Sequence, residues 1–480
     1  MSQQRDYKNS FESRQRAALS ALVLLVALVL SCLGAAVAVS KALKGTEMNL
    51  AQAQIGSMIY VAAAYILFAV YMAVYQRDTF DGAKLMTMVC IQLALMPWMQ
   101  VLGNMLEPHV TPMVMAALLI AELVNHKTAL AAGVLLGLES AVLAGGTEGL
   151  FTTAAAVMMA ANIASCAASV FALKRINTRG GMIAASGIGG AAGGAAVTAA
   201  IYIALGATVR EILTYAGCVL FSALFSGLFV TGSLTIWEEL FDIATPARLN
   251  ELLNTGNPLL KQLMYDAPGT YQHCMNVAAL AEGAAEKIGA NALLAKVGAA
   301  YHDVGKLRRP QYFKENQQAE NIHDTLSPQE SASIIIAHQK DGATILAKNK
   351  LPGAVVRIAA EHHGNSMMTY FYRKAAEIDP NVNPKGFRYP GNKPSTREGA
   401  IVMLADCCEA AVRSLGDCTR EAREAMVHKI IWGKLTDGEN QLSEVPLTLA
   451  DISSIEKSFL RTFGGLMHDR IEYPEEAKKE

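Results

Sequence analysis

Before Trp237 the chain is a succession of apolar stretches of roughly 15 to 25 residues, each about what a helix needs to cross a bilayer. Hydrophobic residues make up 52% of the 480-residue sequence, and nearly all the excess over a soluble protein lies in this half. Spans are expected near 17–39, 56–76, 85–106, 110–124, 129–146, 150–173, 181–207 and 211–234. Basic residues fall in alternate loops: Arg5, Lys8, Arg14 and Arg16, then Arg77 and Lys84, then Lys127, then Lys174, Arg175 and Arg179. The intervening loops hold only Lys41, Lys44 and Arg210. The positive-inside rule therefore predicts a multi-pass membrane protein with both termini cytoplasmic. Ala36-Val37-Ala38 resembles a signal-peptidase site, but the long apolar run and the early Asp6 and Glu12 favour a retained span.

Within the spans, Gly189 and Gly193, and Gly190 and Gly194, are spaced for close helix packing. Glu122 and Glu139 are costly in an apolar setting and are named as functional candidates. Cys32, Cys90, Cys166, Cys218, Cys274, Cys407, Cys408 and Cys418 show no CxxC spacing, which fits free thiols in a reducing compartment. A formal net charge of −1 gives no indication of a nucleic acid polymer as partner.

The second half carries helical periodicity and no strand signals. Helices are expected over 274–288, 291–304, 327–339, 341–348, 351–362, 366–377, 396–415, 419–434 and 448–467, with an irregular stretch from Asp379 to Ser395. The fold class is thus all-α, divided into a transmembrane domain (1–234), a helical connector (235–266), a second helical domain (267–472) and a charged tail (473–480). The pair His302-Asp303 ends an apolar segment that starts at Ala292 and reads as a buried helix closed by Gly305. With His273, His338, His362, His363 and Asp406 it makes a set of imidazoles and carboxylates without thiolate, suited to Fe, Mn, Zn or another first-row divalent ion. Seven such groups in apolar helical contexts would be costly to bury without metals to pair them.

Asp303, with two oxygens, is the candidate bridge between two ions, which would polarise a phosphoryl group and hold a hydroxide in line with the leaving oxygen. Lys306 would share its helical face if the last turn is regular, close to the phosphate charge; a lysine favoured by the helix dipole is the equal alternative. Cys274 and Cys407 read as small buried residues, and His428 and His468 as surface residues.

The segments Ala267-Pro268-Gly269-Thr270-Tyr271-Gln272-His273, Tyr301-His302-Asp303-Val304-Gly305-Lys306, His362-His363-Gly364, Phe387-Arg388-Tyr389-Pro390-Gly391 and Met403-Leu404-Ala405-Asp406 occur in order. Together they resemble the membrane-anchored phosphodiesterases of the seven-transmembrane-HD type. The resemblance implies a plasma-membrane enzyme with a dinuclear Fe or Mn centre that hydrolyses cyclic-di-AMP to the linear dinucleotide 5'-pApA. It places one ion on His273, His302, Asp303 and Asp406, and the other on Asp303, His338, His362 and His363. Tyr372, Arg373, Arg388, Tyr389 and Lys393 then offer cations for phosphates and rings for adenine. His323-Asp324 is either a substrate element or a turn with a capping Asp.

Family members carry a large extracellular domain after the first span, where this chain has only Ser40 to Gln54. Gly305-Lys306 after the HD pair differs from stringent-response hydrolases, and Gly364 after the double histidine differs from cyclic-di-GMP hydrolases. Other readings are hydrolysis of another cyclic dinucleotide or nucleotide, or a membrane sensor or transporter regulated by nucleotide binding. Homo-oligomerisation is left open.

Overall fold

The computed structural model describes residues 2–42, 49–103, 105–107, 109–143, 152–174, 178–317, 321–415, 419–436 and 440–466, with side chains described from Gln15 to Lys41 in the first helix and up to Gly465 at the end. The chain divides into two compact units, with the boundary between Ala247 and Arg248. Among the described residues the secondary structure is helical apart from one isolated bridge, Met367 with Arg388.

The first unit contains α1 (Ser2–Ala42), α2 (Leu50–Tyr75), the short α3 (Arg77–Phe80), α4 (Ala83–Gly103), α5 (Met113–Leu123), α6 (His126–Leu143), α7 (Thr153–Leu173), α8 (Arg179–Ile188), α9 (Ala196–Ala204) and α10 (Val209–Leu240). Seven helical stretches, with α8 and α9 forming one continuous rod, are long and apolar enough to cross a membrane. Ile66 and Leu67, 61% and 67% exposed, are among the many large apolar side chains that point outward, as a lipid-facing surface requires.

The fourth expected span, 110–124, contains only the 11-residue α5, about 16 Å long and too short to cross by itself. The chain nevertheless passes from one end of the bundle to the other between His109 and Asn125. His109 bonds Tyr202 (2.9 Å) and stacks on Tyr215, near the end of α9 and the start of α10, whereas Asn125 donates to Thr79 (3.1 Å) after α2. The stretch before α5 is irregular because polar partners inside the bundle satisfy it: the Thr111 amide donates to Ser222 Oγ (3.0 Å) and its hydroxyl to Asn162 (2.7 Å).

Lys84 donates to the Asp242 carbonyl and Arg179 pairs with Glu238 (2.7 Å), so the basic loops after α2, α5 and α7 share the end of the bundle where α10 finishes. The glycines of the seventh expected span lie in a π-helical segment, Gly189–Ala195, joining α8 to α9. A Cβ on Gly193 would sit 2.4 Å from the Ala164 carbonyl of α7, and one on Gly190 would sit 2.5 Å from Ala223 of α10, so they serve close packing. Glu122 is partly buried near the Asn125 end, and Glu139 is enclosed with both oxygens unbonded among the described residues.

The second unit holds α11 (Pro246–Leu252), which straddles the boundary, α12 (Pro258–Asp266), α13 (Pro268–Lys287), α14 (Ala292–Tyr301), α15 (Pro328–Lys348), α16 (Gly353–Glu361), α17 (Thr369–Ile378), α18 (Arg397–Arg413), α19 (Arg420–Thr436) and α20 (Leu449–Leu466). Residues 235–240 of the expected connector continue α10, and α12 packs on α13. Helix α13 is central, touching α14, α18 and α20, while α15 packs on α16 and α17. Starts are set by side-chain caps: Asn291 before α14, a Ser327–Glu330 capping box with Pro328 before α15, and Thr396 before α18.

Two expectations are corrected. The segments 327–339 and 341–348 form one helix, because Gly342 does not break it but gives room to a neighbouring chain segment. Gly305 does not cap α14, which ends at Tyr301 and gives way to a 3₁₀ segment, Val304–Arg308, with Gly305 outside the left-handed region. A Cβ there would lie 1.9 Å from the His338 carbonyl and 2.5 Å from the Gly342 amide, so its glycine is required by contact with α15.

Candidate metal centre

Three helices and the ends of two others bring the seven sequence-selected groups together. His273 comes from α13, His302-Asp303 from the end of α14, His338 from α15, His362-His363 from the end of α16 and Asp406 from α18. All but His363 are buried, and His302 and His362 completely so. Gly364, with φ +57°, turns the chain immediately after the double histidine, where a Cβ would also meet Gln441 at 2.3 Å.

Hydrogen bonds fix the imidazole orientation. His302 Nδ1 faces the Ala299 carbonyl (2.7 Å), His362 Nδ1 the Ala359 carbonyl (2.7 Å), and His338 Nδ1 the Ile335 carbonyl. A carbonyl only accepts, so each Nδ1 carries the proton and each neutral ring turns its Nε2 lone pair inward. His273 Nδ1 likewise donates to the Glu409 carboxylate (2.5 Å).

The inward atoms separate into two sets about Asp303. Its Oδ2 lies 3.5 Å from His273 Nε2 and 3.3 Å from His302 Nε2, and Asp406 Oδ1 lies 3.0 and 3.7 Å from the same nitrogens. Its Oδ1 lies 3.2 Å from His338 Nε2 and 3.8 Å from His362 Nε2. His363 stands beside the second set, with Nδ1 3.6 Å from Asp406 Oδ2.

His338 Nε2 and His362 Nε2 are 3.2 Å apart, both with lone pairs directed inward, and His302 Nε2 and Asp303 Oδ1 have no hydrogen-bond partner among the described residues. Acceptors facing acceptors in a buried pocket are costly without a cation between them, so the donor set fits divalent metal binding. Cys274 belongs elsewhere: its Sγ is 3.8 Å from His302 Nδ1, behind the ring, and it packs with Leu263 and Ala267.

Protons compete for the same lone pairs. Burial opposes charge on His273, yet Asp406 and Glu409 push its pKa up to about 9, and Asp303 raises that of His302. Burial and the neighbouring imidazoles push His362 down to about 3 and His363 in the same direction. Burial also works against the Asp303 carboxylate, but Lys306 and His302 hold its pKa well below the usual range.

Lys306 Nζ lies 2.7 Å from Asp303 Oδ2 and 2.7 Å from Glu315 Oε1, over the Phe313 ring. It reaches Asp303 from the 3₁₀ turn and not from the regular α-turn that the sequence predicts.

Of the other selected residues, Tyr389 is drawn to the centre, its ring 4.3 Å from that of His363. Arg388 donates to the Asn365 carbonyl (3.3 Å), and Arg373 is exposed. Tyr372 packs on Phe387 in a satellite core, and Lys393 ties down the Asn440 carbonyl (3.0 Å) and Ser443. His323-Asp324 is a 3₁₀ turn capped by Asn321, with His323 Nε2 bonded to the Tyr312 carbonyl. His428 pairs with Glu456 at the surface (2.9 Å), while His468 and Cys418 lie outside the described residues. Sequence reasoning missed Glu409 and Glu315. Neither carried a signal of its own, because each takes its role from a partner on another segment, His273 for Glu409 and Lys306 for Glu315.

Residues 51–245 match the family described as a 7TM receptor with intracellular HD hydrolase, and residues 270–411 match the HD domain. The cyclic-di-AMP phosphodiesterase PgpH of Bacillus subtilis (strain 168) is 48% identical over 255 residues, covering 53% of this chain and 36% of that protein. The protein of the same name from Listeria monocytogenes serotype 1/2a (strain 10403S) is 45% identical over 253 residues, covering 52% and 35%. The chain thus spans about a third of the length of these curated relatives. The L. monocytogenes PgpH HD domain, solved in complex with cyclic-di-AMP, is 46% identical, covering 45% of this chain and 100% of that one, with a TM-score of 0.43. A membrane unit and an HD unit are thus matched in that order, the first by the model of the 7TM receptor with intracellular HD hydrolase and the second by that of the HD domain.

Proposed function

We propose that this chain is a membrane-bound, metal-dependent phosphodiesterase that hydrolyses cyclic-di-AMP to the linear dinucleotide pApA. The observation that carries the reading is the placement of Asp303, one oxygen toward His273 and His302 and the other toward His338 and His362. In this reading His273, His302, Asp303 and Asp406 hold one divalent ion, Mn or Fe, and Asp303, His338, His362 and His363 hold a second. Such ions, when bound, polarise a phosphoryl group and activate water. The protein's own contribution is orientation and charge. Carbonyls and Glu409 lock the imidazole tautomers, Lys306 and Glu315 hold the Asp303 side chain in place, and the Tyr389 ring beside the centre, with Arg388 one residue before it in the chain, serves a base and a phosphate. The substrate follows from the two PgpH relatives, both named for cyclic-di-AMP. The HD unit lies on the cytoplasmic side in this reading, because the basic loops share the bundle end where α10 finishes.

The test is turnover by the full-length chain, purified in detergent and supplied with Mn, against cyclic-di-AMP and cyclic-di-GMP at equal concentration, with product mass determined. Faster opening of cyclic-di-AMP to pApA is expected. Metal-loaded protein that turns over neither compound would refute the assignment.

A further inference from the structure

Of the four imidazoles whose Nδ1 bonds are defined at the centre, three donate to a backbone carbonyl three residues earlier in their own helix: His302 to Ala299, His338 to Ile335 and His362 to Ala359. His273 alone donates to a carboxylate, Glu409 Oε2 at 2.5 Å. Glu409 is buried, and its other oxygen accepts from Asn276 Nδ2 (3.2 Å). The only cation within ion-pair range among the described residues is Arg413, 3.8 Å away and 44% exposed, which leaves most of the carboxylate's charge for His273.

The two sets also differ in what they place inward. Around His273 and His302 stand Asp406 Oδ1 and Asp303 Oδ2, while Asp303 Oδ1 is the carboxylate oxygen among His338 and His362. Asp406 Oδ2 reaches toward His363 only at 3.6 Å. A hydrogen-bonded carboxylate behind a ligating imidazole makes the ring a stronger donor and adds negative charge in a low-dielectric setting.

From this asymmetry we infer that Glu409 is a positioning residue that makes the His273 side the tighter of two inequivalent metal positions, filled before the His338 side. The inference rests on the two-metal reading above, and its test separates the two. Full-length protein in detergent, stripped with chelator, is titrated with Mn(II), and free ion is read from its electron paramagnetic resonance signal. Wild type takes up two ions in separated steps. Glu409→Gln keeps an acceptor for His273 but removes the charge, and it weakens the tight step by about 10–100-fold while leaving the other step within about twofold. Asn276→Ala shifts the same step less and serves if Glu409→Gln folds poorly by circular dichroism. His338→Ala removes the weak step and keeps the tight one. A folded Glu409→Gln variant with an unchanged tight step, or with both steps weakened equally, overturns this inference alone, as does loss of the tight step in His338→Ala. Wild-type protein that binds no Mn(II) overturns both readings.

Discussion

Replacing Gly305 with alanine tests whether the glycine after the HD pair serves metal geometry or merely ends a helix. A Cβ at this position would lie 1.9 Å from the His338 carbonyl oxygen, where real Cβ contacts do not fall below 3.0 Å. The 3₁₀ segment and α15 must therefore separate by about 1 Å, and because backbone meets backbone, no side chain can yield instead. The displaced segment begins one residue after Asp303, and α15 carries His338, so the 3.2 Å approach of Asp303 Oδ1 to His338 Nε2 is lost.

A misplacement of about 1 Å at a reacting centre costs on the order of 100-fold in rate, and overpacking costs about 1–3 kcal/mol of stability. At roughly 2–4 °C per kcal/mol for a unit of this size, the HD unit should melt about 2–12 °C lower. The assay is kcat/KM for cyclic-di-AMP with Mn, together with differential scanning fluorimetry of the same samples. Gly386→Ala, which meets nothing within 4 Å, is the control. Gly305→Ala with wild-type turnover and melting would refute the argument that this contact sets the distance between the two ligand groups.

Gly433 lies inside α19 with open space around it, so Gly433→Ala should raise the HD unit's Tm by the equivalent of about 0.5–1 kcal/mol without changing turnover. Ser327→Ala removes the capping box at the start of α15 and should cost about 1 kcal/mol, read by denaturant unfolding. The pH dependence has a definite sign. His273 is raised from 6.5 to about 9, so without metal its contribution to stability is complete below pH 6.5 and is lost as pH rises through about 9, whereas Mn binding must expel that proton. Metal-free Tm should therefore fall from pH 6.5 to 9 while stabilisation by Mn grows. Calorimetry in buffers of different ionisation enthalpy should show proton release at pH 7.5 that disappears above about pH 10.

Ligand chemistry was legible in the sequence because it depends on residue type: seven imidazoles and carboxylates in apolar helical surroundings had few inexpensive fates other than a shared centre. Helix positions were legible for the same reason, since periodicity and caps are local. Features set by contact between distant segments were not. Gly305 reads as a helix stop because glycine usually signals a turn, but its role is imposed by His338 and Gly342 of α15, more than thirty residues further on. Glu409 stayed hidden because an acidic residue three positions after Asp406 is ordinary until α13 brings His273 against it. The fourth membrane crossing joined both kinds of information. Hydropathy marked 110–124 as a span, whereas only 11 of its residues are helical, and the irregular remainder crosses because Ser222 accepts from the Thr111 amide and Asn162 from the Thr111 hydroxyl. The alternating loop charges already required that crossing, for without it Lys127, Lys174 and Arg179 would lie at the opposite end of the bundle from Arg77 and Lys84. The sidedness of this chain is thus encoded more firmly in its loops than in the helix between them.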